Sequence, residues 1–255
     1  MPYPALAREL GWRVAPGFMA DRARRYERDF REREGVTAIA RALVGGGPVR
    51  VRHGPFQGMS YPEDRLGDVA APVAKLMGTY ELEIHDALMA ALARGARTFI
   101  DVGCADGYFA VGLPYVDHAV RTYAFDLSRD ARELCAEVAR TNSLEANVEI
   151  GKRFAGPSLD AIDCAGALML CDIEGAERTL FDDGLIGRLA QTSVIIEVHE
   201  QGAQGLSAAL RNRFDRTHGV MVVEQVRRQA VDGVAPGVLA ELRPPDQHWL
   251  VCNPR

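Results

Sequence analysis

The sequence predicts an open α/β fold: a doubly wound, mostly parallel sheet with an antiparallel last strand, preceded by a helical and β-hairpin extension. Three observations carry that expectation. From Arg97 onward, apolar segments of strand length alternate with helical segments. The first apolar segment runs straight into a glycine turn, DVGCADG. Two late apolar segments, VMVVEQV and HWLVC, have only a loop or short helix between them, which suits a hairpin-like pair closing the sheet.

The elements follow in order. In FMADRARRYERDFRERE, Met19, Ala23, Tyr26 and Phe30 recur at helical spacing, and Asp21/Arg25, Glu27/Arg31 and Arg28/Glu32 are i,i+4 pairs. The acids nearly cancel the arginines, so this reads as a solvated accessory helix and not as a nucleic-acid patch. Gly45-Gly46-Gly47-Pro48 interrupts the chain. VRVRHGPFQGMSY alternates apolar and polar residues around His53-Gly54-Pro55 and is expected as a strand pair. A helix is expected over 80–94, with Leu82, Leu88, Met89 and Leu92 among its apolar positions. The strand segments TFIDV, VRTYAFD, ANVEI, ALMLCD and SVIIEVH come next, with helices expected over 107–113, 128–141, 176–189 and 204–214. Parallel strands joined by helical crossovers satisfy that order. The expected division is an extension over 1–79 and a principal domain over 80–255.

Composition narrows the partners. The 255 residues carry a formal net charge of −5, which gives no general pull toward phosphate backbones or anionic membranes. Nucleic acid and membrane are therefore not expected as partners. No apolar run nears the roughly 18 residues of a spanning helix. The start, MPYPALARELGWRV, lacks the apolar core of a signal peptide, which leads to an expected cytoplasmic location. The five cysteines are odd in number and irregularly spaced with no CxxC, a pattern of reduced thiols and not of a disulfide framework or zinc site.

TFIDVGCADGYFAV reads as strand, turn and helix start. Gly103 and Gly107 can take positive φ and allow a ligand to approach the backbone. Open α/β sheets bind ligands at such strand ends. A dinucleotide site prefers G-x-G-x-x-G, but Ala105 stands at the second glycine and Asp101 precedes the turn. An acid there would repel a pyrophosphate and could receive the ammonium group of S-adenosylmethionine. Asp126, which ends the next strand, falls where an acid accepts hydrogen bonds from ribose hydroxyls. Asp101, Gly103, Ala105, Gly107, Asp126 and Leu127 are thus the cofactor candidates.

Together DVGCADGYFAV, AFDLS, CDIEGAE and IIEVHE resemble the FkbM family of S-adenosylmethionine-dependent methyltransferases. GPFQGMSYP and KLMGTYELEIHDAL resemble the lead-in of some members, so the resemblance spans roughly Gly54 to Glu200. Its most specific element is D-x-E-G-A-E, matched by Asp172, Glu174, Gly175, Ala176 and Glu177. Cys104-Ala105-Asp106 departs from the family's more frequent Ala-Asn after the first glycine, and Asp126-Leu127 keeps the ribose acid but not the proline that often follows it. The resemblance implies a Rossmann-like class I methyltransferase fold, in which the fourth strand ends beside the transferred methyl. It also implies O-methylation of a small-molecule, sugar or natural-product hydroxyl. The D/N-P-P-Y/F motif of nucleic-acid amino methylases is not at that strand end.

O-methylation needs an aligned hydroxyl and a base, or a metal that acidifies the hydroxyl. Glu197 and His199 share one face of their strand, and His199 suits a general base. Asp172, Glu174 and His199 are the catalytic candidates, with Asp172 also expected beside the cofactor. Asp172, Glu174, Glu197 and His199 could alternatively hold Mg²⁺. Glu177 reads as a helix-start acid favoured by the dipole, with Arg178 or another base as a partner. Two rivals remain open: an NAD-dependent oxidoreductase and a non-catalytic S-adenosylmethionine-binding partner protein. Oligomeric state is also open, a homodimer included.

Overall fold

The computed structural model describes residues 35–200, 204–239, 241 and 247–255. The accessory helix expected around Met19 to Phe30 lies outside the described residues. The described chain starts with α1 (Val36–Val44), a 3-10 turn (Glu63–Asp68), α2 (Pro72–Leu76) and α3 (Leu82–Ala93). β1 (Thr98–Val102), α4 (Tyr108–Val116), β2 (Arg121–Phe125), α5 (Arg129–Thr141) and β3 (Val148–Gly151) follow. Then come β4 (Leu168–Cys171), α6 (Glu177–Leu180), α7 (Asp183–Arg188) and β5 (Ser193–Val198). α8 (Leu206–Phe214), β6 (His218–Glu224) and β7 (His248–Pro254) complete the order.

The seven strands form one sheet in the order β3-β2-β1-β4-β5-β7-β6. β1 through β5 are mutually parallel. β7 lies antiparallel between β5 and β6, so it alone is reversed. This is the expected sheet, and its order with one reversed strand is that of the class I methyltransferase fold. The central strands β1, β4 and β5 are almost wholly buried, as is the middle of β7, which explains their near-continuous apolar runs.

Apolar side chains fill both faces. On one face Leu88 of α3, Val111 of α4 and Leu134 of α5 pack over Phe99 and Leu168. On the other, Phe181, Ile186, Leu210 and Phe214 pack over Ile100, Met169 and Ile196. Val49, Val51, Met59, Tyr61 and Met77 belong to the first of these clusters, so the described part of the extension packs into the same core.

Two local expectations change. The strand pair around His53 reduces to a single bridge, Arg50 with Ser60. Val51 N–H still donates to Met59 O and Tyr61 N–H to Val49 O, but Arg52 N–H leaves the pair for Leu76 O. Gly54, at φ 74, lies so close to Gly78 O that a Cβ would sit 2.6 Å from it, and the ladder ends there. The alternation instead sends Val49, Val51, Met59 and Tyr61 inward. The single helix expected over 176–189 is two short ones. Asp182 caps the second by accepting from Leu185 N–H at 2.7 Å, and Phe181 turns fully into the core.

Candidate active site

The glycine turn after β1 is tied to both neighbouring strands. Gly103 (φ 96) and Gly107 (φ 87) take left-handed backbone, and so does Ala105 (φ 49), in place of the second glycine. A Cβ on Gly103 would lie 1.7 Å from the carbonyl oxygen of Asp172, so only glycine lets the end of β4 rest on the turn. Gly103 and Cys104 N–H both donate to Phe125 O at the end of β2. Asp126 is buried; its Oδ2 accepts from Ala105 N–H at 3.1 Å and its Oδ1 from Ser128 N–H at 2.8 Å. Leu127 is half-buried beside it, with its carbonyl accepting from Arg132.

A small cavity of about 30 Å³ opens under the turn, and Asp101, Gly103, Ala105 and Asp172 line it. Asp101 is 3% exposed. Burial, and then the charges of Glu81 and Asp172, push its carboxyl well above the usual range. Two further lining residues, Lys75 and Glu81, belong to the family-like segment KLMGTYELEIHDAL but were not expected at the site. Glu81 is buried at φ 48 immediately before α3. Lys75, on α2, is 1% exposed and pairs with Asp106 at 2.5 Å. A five-residue helix and a single acid offer no periodicity that would single them out.

Beyond β4 the chain turns sharply through Glu174 (φ 56) and Gly175 (φ 103). Glu177 opens α6 as expected, but that turn swings it inward, and the base it pairs with is His199 and not Arg178. Glu177 has no solvent exposure, and its Oε1 accepts from Gly175 N–H at 3.0 Å and meets His199 Nδ1 at 2.8 Å. Arg178 instead donates to Gln204 O. His199 Nε2 lies 3.5 Å from Asp172 Oδ1, 3.5 Å from Glu174 Oε2 and 3.9 Å from Glu197 Oε2. The expected residues Asp172, Glu174, Glu197 and His199 therefore meet around one imidazole. Gln247 bridges Glu197 Oε1 and the His199 ring.

Charge dominates this cluster. Burial lowers the His199 pKa, but Glu174, Glu177 and Glu197 outweigh it and raise the value well above the usual one. Burial raises Asp172 to about 7 against the opposing pull of His199. Donor atoms of Asp172, Glu174 and His199 lie within 4.8 Å of one another, as do those of Glu81, Asp172 and Glu197. Asp172 belongs to both groups and joins the cavity to the histidine. No helix among the described residues is long and apolar enough to cross a membrane.

No family model and no curated protein matches the chain. Among solved structures, the cofactor-bound Rv0187 from MTB is 14% identical with a TM-score of 0.49, covering 71% of this chain and 85% of its own. WbdD, a bifunctional kinase-methyltransferase, is 19% identical with a TM-score of 0.49 over 84% of this chain, which spans only 46% of WbdD. An O-methyltransferase from Bacillus cereus in complex with SAH is 12% identical with a TM-score of 0.47, covering 65% of this chain and 78% of its own.

Proposed function

We propose that the protein is an S-adenosylmethionine-dependent O-methyltransferase that acts on a hydroxyl of a small molecule, a sugar or a natural product. The observation that carries this reading is the contact between Gly103 and Asp172, which brings the glycine turn and the acid-rich end of β4 to one point. A cationic ligand fits there, since three carboxyl groups, of Glu81, Asp101 and Asp172, line the cavity and the one lining ammonium, Lys75, is already paired with Asp106. The same wall would repel a pyrophosphate, which disfavours NAD.

Asp101, Gly103, Ala105, Gly107, Asp126, Leu127 and Asp172 are the residues that would hold the cofactor. Each Asp126 oxygen already takes one backbone N–H and can accept another hydrogen bond, which suits ribose hydroxyls. S-adenosylmethionine supplies, when bound, a sulfonium methyl group open to attack by an oxygen nucleophile. The chain's part is to align the hydroxyl and take its proton. His199 was the expected base, but the surrounding acids keep its proton on. Asp172, with a pKa of about 7, is the better poised acceptor of that proton. His199, held at Nδ1 by Glu177, presents Nε2 to Asp172 and Glu174 and steadies the charge that forms. Mg²⁺ on Asp172, Glu174 and His199 is a second reading, favoured by their convergence. It needs His199 neutral, against the pull of its neighbours.

Calorimetric titration with S-adenosylmethionine tests the cofactor reading. Binding that weakens at least about tenfold in Asp126→Ala is expected, because charge-assisted hydrogen bonds are lost. Absence of binding to the unaltered protein would refute the reading. Turnover that survives exhaustive chelation would set the metal aside.

A further inference from the structure

β6 is one border of the sheet: among the described residues it pairs only with β7. Its outer side therefore presents a row of backbone N–H and C=O groups to which no other described strand is bonded. Edge strands are usually blunted by lysine, proline or a bulge. β6 reads HGVMVVE, with no lysine, no proline and an acid only at its last residue. Its register with β7 runs unbroken from His218 to Glu224, so no bulge turns the border away. Beside it lies a groove of about 580 Å³ between α3 and β6. Met221, the middle residue of β6, stands in that groove 55% exposed.

The helix side of the groove is a stripe at helical spacing: Asp86, Ala87, Ala90 and, just past the end of α3, Arg94. The two alanines keep it open, and the exposed Asp86 and Arg94 stand toward its two ends. Those ends differ in sign along the strand. Arg94 donates to Asn253 Oδ1 at 3.0 Å, and Asn253 pairs with Gly219 near the start of β6. At the opposite end of α3, Glu83 accepts from Val226 N–H at 2.8 Å, just past the end of β6. Asp86, one turn on from Glu83, therefore lies toward the end of β6 and Arg94 toward its start. Ala90 is four residues from each, level with the middle of the strand. A surface with a carboxylate at one end, a guanidinium at the other and an apolar side chain at its centre is complementary to its own two-fold image.

We propose that this face joins two copies of the chain, β6 pairing antiparallel with the partner's β6 about a two-fold axis at Met221. The pairing bonds the free amides of both borders and makes one continuous sheet. It sets the two α3 helices on the same side of that sheet, running in opposite directions, with both Met221 side chains buried between them. Asp86 of each protomer then faces the partner's Arg94, and the same ion pair forms twice. The reversal of sign along the groove is what selects a second copy as the occupant, since each groove offers at one end what the other offers at its opposite end. β6 is separated from β5 by β7, so the interface leaves the strand ends that carry Asp172 and His199 open. It stands apart from the S-adenosylmethionine reading and does not need it.

Sedimentation velocity of the full chain, from about 1 to about 100 µM, tests the interface. A dimer is expected. Met221→Asp should weaken it at least about 100-fold, because two unpaired carboxylates would be buried at the axis. Met221 is exposed in the single protomer, and circular dichroism confirms that the variant folds. Charge reversal tests the register. Asp86→Arg should weaken the dimer about 2- to 30-fold, and Asp86→Arg combined with Arg94→Asp should bring the affinity back to within about threefold. Hydrogen exchange at the β6 amides should slow as protein concentration rises. A monomer at about 100 µM overturns the proposal, and so does a dimer indifferent to Met221→Asp or to reversal at Asp86. β6 amides equally protected at every concentration in a monomer would mean that residues 1–34 cover the border, which overturns it as well.

Discussion

His199 Nδ1 lies 2.8 Å from Glu177 Oε1, and that carboxylate has no solvent exposure. The second Glu177 oxygen is buried without a hydrogen-bond partner, so the side chain is committed to His199 and to Gly175 N–H. The imidazole is thereby oriented from one side, and its other nitrogen faces Asp172 and Glu174.

Glu177→Gln should lower the His199 pKa. Burial alone lowers it, and the acids Glu174, Glu177 and Glu197 together reverse that. Removing one of the three is expected to bring the value down. Titration of the imidazole carbon resonances by NMR measures it, and an unmoved midpoint would show that Glu177 holds the ring without setting its charge.

Asp172→Asn should stabilise the protein at alkaline pH. Asp172 is raised from 3.8 to about 7, so the folded state keeps this proton longer than the unfolded state does. Ionising it costs stability, and the cost grows from about pH 4 to about pH 7 and is complete above that. With its side chain 28% exposed and His199 nearby, the relief is put at about 1 kcal/mol, or about 2–4 °C in melting temperature at pH 8. No difference is expected near pH 4. A lower melting temperature of the variant at pH 8 contradicts the sign.

Gly103→Ala should cost about 3 kcal/mol or more, since it forces a side chain into left-handed backbone and onto the Asp172 carbonyl. Gly156→Ala, which meets nothing within 4 Å and has no positive φ, should stay within about 0.5 kcal/mol. Urea denaturation of the two variants gives the comparison; equal midpoints would mean the turn and β4 can separate cheaply.

Arg228→Met should loosen the segment between β6 and β7. The Arg228 guanidinium makes two bonds to Glu83, at 2.7 and 2.9 Å, and two to Glu241 Oε1, at 2.6 and 3.2 Å, and all three side chains are 8% exposed or less. Stranding two buried carboxylates is expected to cost about 3–5 kcal/mol. Glu83 is lowered overall, Arg228 and Val226 N–H outweighing burial, so its contribution is lost as pH falls through its folded pKa, below 4.5. Faster proteolysis within 225–239 is the readout, and an unchanged cleavage pattern argues against the clamp.

Elements that depend on local pattern were readable from sequence. TFIDV is β1 residue for residue, and Ser128 caps α5 as its place before an amphipathic run suggests. Asp172, Glu174, Glu197 and His199 could be grouped because strand ends converge in a parallel sheet. Glu177 was placed at a helix start, as it is, but its burial was not readable because it depends on two successive left-handed residues, Glu174 and Gly175, which redirect that start. Lys75 and Glu81 lie in the family-like segment KLMGTYELEIHDAL, but their place at the site was not legible because they reach it through tertiary packing of α2 and α3. The hairpin around His53 failed for a similar reason: a hydrogen bond to Leu76 outcompeted the local ladder.

The position of β7 bears on how the molecule is made. It is the last strand in chain order, yet it fills the gap between β5 and β6. During synthesis, β6 has no neighbour in the sheet until residues 248–254 emerge, and the open edge of β5 waits with it. That edge carries Val194, Ile196 and Val198, an apolar template for a wrong partner. Until residues 248–254 dock, the chain therefore carries two unpaired borders, and the step that protects the sheet from wrong pairing is the insertion of its last strand.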